Sequence, residues 1–389
     1  MPKNRRLVAF AMTVALLLAT LSLPVTAQGG VLPSLPASAA VLIEMESGDV
    51  IIERNASARL PMASTTKIMT ALVALELAPS DTRIIVDAAA VGAEGSSVYL
   101  CAGEVLTLEQ LLYALLLESA NDAALAIAIG LCGSVEAFAD LMNRKAEALG
   151  LTDTHFVNPH GLDDKAHYTT ARELATVTQA ALQNELFARI VSTRRATIPH
   201  AENPTGRLLI NHNKLLRTYP DCVGVKTGYT TRSGRCLVSA ATRDGVTLIA
   251  VTLNAAGDWQ LHADMLDYGF TRYHTVTLSD TDTYRVTLPV VGGERDLISL
   301  TNESALSITL PVGHGSIRAV TEAPHFLYAP VMTGENIGKA VFYCDTDGDG
   351  CEEIIGELPL IACESVSPLH PPSPFASFWA WICGLFGKS

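Results

Sequence analysis

The sequence predicts a mixed α/β (α+β) chain followed by a small all-β domain, and three observations carry that prediction. Residues 39–54 and 221–254 alternate as strands do, with turns at Ser47-Gly48, near Thr231–Gly234 and at Arg243-Asp244-Gly245. Apolar residues at helical spacing occupy the stretch between those two regions. After Tyr273 the character changes: residues 274–363 are short β-like runs broken by Gly, Pro and Asp, with few helix signals.

Taken in chain order, Lys3, Arg5 and Arg6 form a basic start, Leu7 to Leu23 is nearly continuous apolar sequence, and Val25-Thr26-Ala27 supplies small residues after Pro24. Residues 1–27 therefore read as a secretory signal, cleaved at that site, with an uncleaved membrane helix as the alternative. The segment 39–54 reads as a hairpin. Ile68, Leu72, Leu75 and Leu77 give residues 64–78 a helical face, and Pro79 stops it. Thr107 with Gln110 three positions on forms a capping box for the apolar run Leu111–Leu117. Polar Glu118–Asp122 interrupts, a second helical stretch runs to Leu131, and Ser134–Leu149 is a third amphipathic helix closed by Gly150. Residues 221–254 follow as strand–turn–strand–turn–strand. Residues 366–374, rich in proline, read as a stiff linker. In 375–389, Phe375, Phe378, Trp379, Ile382, Leu385 and Phe386 share one helical face. That segment is too short to span a bilayer, which takes about 20 residues. It reads as an amphipathic anchor in the membrane interface rather than a helix docked on its own protein.

Composition narrows the function classes. The chain has 389 residues, 49% apolar and 17% charged, enough for a sizeable core and too apolar for disorder. Its formal charge is −13, and losing three cations with the signal takes it to −16. No basic run follows residue 6, which argues against a nucleic-acid partner. None of the eight cysteines has zinc spacing, so no structural metal is expected. Cys344 and Cys351 flank a turn-rich tip and are either the best disulfide pair of the chain or two free thiols. The tip, Asp345–Gly350, resembles the start of a calcium loop. Counting from Asp345, Gly356 stands where that loop needs its bidentate glutamate, so a plain hairpin turn is the better reading.

Three short elements carry chemistry. In Ser64-Thr65-Thr66-Lys67, residues i and i+3 share a helix face, so the hydroxyl and the amine can meet. Serine needs an adjacent base to attack, and lysine is one only when neutral; burial, a second cation and a helix N-terminus all favour the neutral form. The plainer alternative is Ser64 as a helix cap and Lys67 as a surface lysine. Ser119-Ala120-Asn121 places a hydroxyl and an amide inside an apolar helical run, where they need partners; the alternative is a helix boundary. Lys226-Thr227-Gly228 puts a lysine within a strand expected to be central, facing a cleft, with Gly228 letting a substrate backbone approach; the alternative is an edge lysine before a turn.

In this order the three elements resemble the penicillin-recognising serine acyl enzymes. Flanking residues narrow the resemblance to the D-alanyl-D-alanine carboxypeptidases, the low-molecular-weight penicillin-binding proteins. They are Leu60–Thr70, Ser119–Asp122, Asn158-Pro159-His160-Gly161-Leu162, Asn213-Lys214-Leu215-Leu216 and Val225–Thr230. The resemblance covers residues 39 to about 365. It implies a β-lactamase/transpeptidase-like domain over 31–273, an antiparallel sheet flanked by helices, and a β-rich domain over 274–365. It implies that Ser64 attacks the carbonyl between the terminal D-alanines of a peptidoglycan stem peptide, that Lys67 takes the proton and that Ser119 relays it to the leaving D-alanine. Asn121 would hold Lys67 and the substrate amide, and Lys226 and Thr227 the terminal carboxylate. The N–H groups of Ser64 and Tyr229 would make the oxyanion hole. β-Lactams would act as slow-turnover inhibitors, and no cofactor is needed. His155, His160 and His167 are expected to be structural or surface residues, not ligands.

Two segments depart from the pattern. Ala166-His167-Tyr168-Thr169-Thr170-Ala171 replaces a frequent Gly-His-Tyr-Ser-Thr-Ala, and Asp258 before Trp259 replaces a frequent arginine. A class A β-lactamase is the nearest rival, but Ala120 replaces its usual aspartate and no Glu-x-x-Leu-Asn segment lies between 140 and 200. A non-catalytic wall-binding protein on the same fold would not need all three elements intact.

Overall fold

The structure is a computed structural model and describes residues 32–369. The expected signal (1–27), the proline-rich stretch from residue 370 and the expected anchor (375–389) lie outside the described residues. The expected hairpin is β1 (Ala37–Glu44) and β2 (Val50–Arg54). A 3-10 turn, Ala63–Thr66, runs into α1 (Lys67–Leu77). Then come β3 (Arg83–Ile85), β4 (Val105–Thr107), α2 (Leu108–Leu117), α3 (Asn121–Cys132) and α4 (Val135–Ala148). They are followed by α5 (Ala171–Leu182), α6 (Glu185–Ser192), β5 (Arg195–Ile198), β6 (Arg207–Ile210) and α7 (Leu215–Thr218). The strands β7 (Cys222–Thr230), β8 (Gly234–Arg243) and β9 (Val246–Ala255) precede α8 (Asp258–Phe270).

The main sheet is antiparallel, in the order β2-β1-β9-β8-β7. Its inner strands are buried at most positions because both faces are covered. In β9, Ile249, Val251 and Leu253 join the core built with α1 to α6, whereas Leu248 and Ala250 pack against Leu261, Met265 and Leu266 of α8. The capping box read from the sequence is present: Thr107 accepts from the Gln110 N–H, and Gln110 accepts from the Thr107 N–H. α2 is buried almost throughout, so its end and the start of α3 are fixed in the middle of the helical lobe. A buried bidentate ion pair, Arg207 to Glu104 at 2.6 and 2.8 Å, ties the β5–β6 hairpin to the loop before β4.

From Tyr273 the chain is β throughout. β10 (Tyr273–Ser279) pairs with β13 (Leu306–Pro311). β11 (Arg285–Val291), β12 (Leu297–Asn302), β14 (Arg318–Glu322), β15 (Leu327–Tyr328), β16 (Asn336–Cys344) and β17 (Glu353–Ala362) form a six-stranded sheet. Its own core holds Leu288, Ile298, Leu300, Phe342, Leu358 and Leu360. Val366, expected to begin a linker, is buried instead: it exchanges backbone bonds with Val331, and both side chains join the apolar core of this domain.

The register of β16 on β17 pairs Cys344 with Glu353 and leaves Cys351 in the exposed tip, so both are free thiols here. The tip is longer than a tight turn because Asp345 accepts from the N–H groups of Gly348 and Gly350. Asp345, Asp347 and Asp349 gather ligand oxygens within 4.8 Å of one another, and Gly356 lies within β17.

Candidate active site

The sequence suggested Ser64 at the start of the helix; it lies instead in the 3-10 turn just before it, and Lys67 opens α1. The i, i+3 relation survives because both helix types bring those positions together. The turn is held without the nucleophile: Thr65 Oγ1 donates to Met62 O at 2.6 Å, and Thr66 Oγ1 to Ala63 O at 2.8 Å. Ala63 has φ 49°, a strained conformation for alanine, immediately before Ser64. It is locked by Gly161, where a Cβ would meet the Ala63 carbonyl oxygen at 1.9 Å.

Ser119 also has a positive φ, 60°, at the break between α2 and α3. The break is imposed from outside. Asn121 N–H donates to Ser96 O and its Nδ2 to Glu94 O. Asp122 accepts from the Ser97 hydroxyl and from the Val98 and Leu100 N–H groups.

Lys67 is fully buried, and its Nζ lies 3.0 Å from Ser64 Oγ, 2.6 Å from Asn121 Oδ1 and 2.6 Å from the His160 carbonyl oxygen. No carboxylate is among these partners. Burial, and then the positive charge of Lys226, hold Lys67 well below the ordinary lysine range. Lys226 is 1% exposed, donates to the Thr227 carbonyl oxygen at 2.9 Å and is lowered by burial to about 7. Its strand, β7, is an edge strand, not the central strand the sequence suggested, yet the lysine is enclosed because the Ser64 turn packs against that edge. A Cβ on Gly228 would lie 3.0 Å from Ser64 N, so this close approach needs glycine.

A cleft of about 340 Å³ is lined by Ser64, Ser119, Thr227, Gly228 and Tyr229. Lys67, Asn121 and Lys226 are buried beside these residues, Lys67 in contact with both Ser64 and Asn121 and Lys226 next to Thr227 in β7. All eight residues singled out in the sequence thus converge. What sequence reasoning missed is a backbone atom and the far wall. The His160 carbonyl could be found only as part of the Asn158–Leu162 segment; Arg235 and His212 also line the cleft and carried no local signal.

Three histidines set an acid limit. His167 Nδ1 accepts from the Val157 N–H, which places its proton on Nε2, facing Thr66 Oγ1 at 2.8 Å. His160 Nδ1 accepts from the Leu162 N–H, and His262 sits between Ser239 and Thr252. Burial lowers His160 and His262 to about 3 and His167 to about 4. A histidine with a lowered folded pKa contributes stability above the unfolded value near 6.5 and loses it as pH falls towards the folded one. Each costs up to about 1.4 kcal/mol per pH unit in that window. Melting temperature should therefore fall steadily from pH 6.5 to 4, less steeply in His262→Leu; a flat profile in scanning calorimetry would refute this.

Among known proteins, the family model for D-alanyl-D-alanine carboxypeptidase, peptidase S11, matches residues 26–257. The D-alanyl-D-alanine carboxypeptidase DacF of Bacillus subtilis is 33% identical over 343 residues, covering 85% of this chain and 86% of that protein. The D-alanyl-D-alanine carboxypeptidase DacC of Escherichia coli is 33% identical over 353 residues, covering 86% of this chain and 85% of that protein. The crystal structure of penicillin binding protein 5 from Haemophilus influenzae superposes with a TM-score of 0.63 at 27% identity, covering 87% of this chain and 100% of that one. With the three elements gathered on one cleft and this match along most of its length, the chain belongs to the S11 peptidase family of D-alanyl-D-alanine carboxypeptidases.

Proposed function

We propose that Ser64 is the acylating nucleophile of this serine-type D-Ala-D-Ala carboxypeptidase and that neutral Lys67 is its general base. The observation that carries the reading is the set of partners around Lys67 Nζ. A neutral amine has two N–H groups and one lone pair. The two carbonyl acceptors, Asn121 Oδ1 and His160 O, take the two N–H groups and leave the lone pair for the Ser64 hydroxyl. Ser64 Oγ forms a bond to the carbonyl carbon between the two D-alanines while its proton passes to Lys67. The tetrahedral oxyanion is held by the N–H groups of Ser64 and Tyr229, a pairing supported by the approach of Gly228 to Ser64 N. The C–N bond then breaks, and the proton travels from Lys67 through Ser119 to the departing amine. Asn121 orients the substrate amide, and Lys226 with Thr227 meets the terminal carboxylate. Water, deprotonated by the same lysine, hydrolyses the ester and restores Ser64.

Peptidoglycan stem peptides and β-lactams are the ligands that fit this family. Among the described residues lining the cleft the acidic one, Asp258, is engaged by Arg235, so none of them offers a free carboxylate to activate a deacylating water. β-Lactams should accordingly acylate Ser64 and leave slowly. The basic and apolar start of the chain and its amphipathic end support export, with attachment at the outer face of the cytoplasmic membrane through 375–389.

Incubation of the full chain with a synthetic pentapeptide ending in D-Ala-D-Ala should release one D-alanine per peptide, and benzylpenicillin should add one adduct per chain by intact mass. Rapid nitrocefin turnover without D-alanine release would overturn the assignment in favour of a β-lactamase.

A further inference from the structure

The cleft does not end at Thr227. It continues past Tyr229 to a wall made by Arg235, Asp258, Trp259 and Lys214. Arg235 is the register partner of Tyr229 across β7 and β8, and Thr227 is paired with Leu237. Thr227 and Arg235 are therefore diagonal neighbours on one face of the sheet, with Cα atoms roughly 7–8 Å apart, a gap that a long side chain spans.

The guanidinium is held in place from two sides. Its Nε donates to Asp258 Oδ1 at 3.0 Å, Nη2 lies 2.9 Å from the same oxygen as an ion pair, and its central carbon lies 5.6 Å from the Trp259 ring centroid. Asp258 is itself fixed, since its side chain is 4% exposed and Oδ1 also accepts from the Trp259 N–H. Lys214 Nζ stands 6.0 Å from the same ring centroid, a second cation on this wall. One of the five guanidinium N–H groups donates to Asp258, and the side chain is 47% exposed where it lines the cleft. A strut needed solely to join β8 to α8 would gain nothing from facing the cleft. An arginine also stays charged over the whole working range of pH, whereas enclosed Lys226 is close to losing its proton near neutrality.

We propose that Arg235 is a specificity-determining residue that reads the free carboxylate of the leaving D-amino acid, with Asp258 and Trp259 as its positioning residues. The inference rests on the carboxypeptidase reading above. It also accounts for Asp258, where the resemblance leads one to expect an arginine: the cation is supplied by the neighbouring strand, and the residue at 258 holds it.

The test compares two acyl donors on the full chain: a diacyl tripeptide ending in D-Ala-D-Ala, and the same peptide with its C-terminus amidated. The readout is the ratio of their kcat/KM values. In Arg235→Gln this ratio should fall roughly 10- to 100-fold, the range of a lost charge-assisted hydrogen bond, mainly through KM. Arg235→Lys should recover part of it, and Asp258→Asn, which frees the guanidinium, should lower it less than Arg235→Gln. The amidated donor serves as the internal control for folding. An unaltered ratio in Arg235→Gln, or equal losses on both donors, would overturn the proposal. If wild-type protein cleaves neither donor, the carboxypeptidase reading fails instead, and the two failures are distinct.

Discussion

Ser64→Ala is expected to lower D-alanine release by about 10,000-fold or more and to abolish the penicillin adduct, while leaving the fold intact. The loss is large because acyl transfer needs an oxygen at that point; a water molecule there would lack the covalent intermediate that divides the reaction into two easier steps. The fold survives because the turn is held by Thr65 and Thr66, and the Ser64 hydroxyl contacts Lys67. Removing it should cost no more than about 1 kcal/mol of stability. Circular dichroism and thermal melts matched to wild type, together with stopped-flow acylation, check both halves. D-alanine release that persists in this variant would show that another group is the nucleophile.

Lys67→Arg should be nearly as damaging to acylation, by about 100- to 10,000-fold, although it keeps hydrogen-bond donors at that position. Guanidinium has no lone pair to offer at any working pH. Raising the pH to 10 should therefore not rescue the variant. In wild-type protein the sign is clear. A base acts when deprotonated, so acylation should rise with pH through the Lys67 pKa and level off above it. That rise should come well below 10.5, because burial and the charge of Lys226 disfavour the ammonium. An arginine variant that regains activity as pH rises would point to a different base.

Much of this site was legible in the sequence because its chemistry sits in short local strings. Ser64 and Lys67 are three residues apart, Ser119 and Asn121 two, and Lys226 to Tyr229 are consecutive. The hairpins and the capped helix α2 were legible for the same reason, since turn residues and caps act within a few positions. What could not be read depended on long-range packing. Whether β7 is central or an edge follows from sheet order, and its lysine is enclosed by a turn some 160 residues earlier. The His160 carbonyl reaches Lys67 because Gly161 lets its loop close on Ala63, a fit between surfaces distant in sequence. The Cys344–Cys351 pairing could not be decided because flanking a turn does not fix register; the aspartate bonds in the tip set it two residues away from the cysteine. Arg235 was invisible for a comparable reason: Asp258 read as a missing cation until the neighbouring strand was placed beside it.

The claim beneath all of this is that an uncharged amine faces Ser64. It is tested most directly by NMR titration of the Lys67 side-chain nitrogen in lysine-labelled full chain, the resonance being assigned by its absence in Lys67→Met. The account predicts a midpoint well below 10.5. A Lys67 ammonium that keeps its proton up to the ordinary lysine range would contradict it.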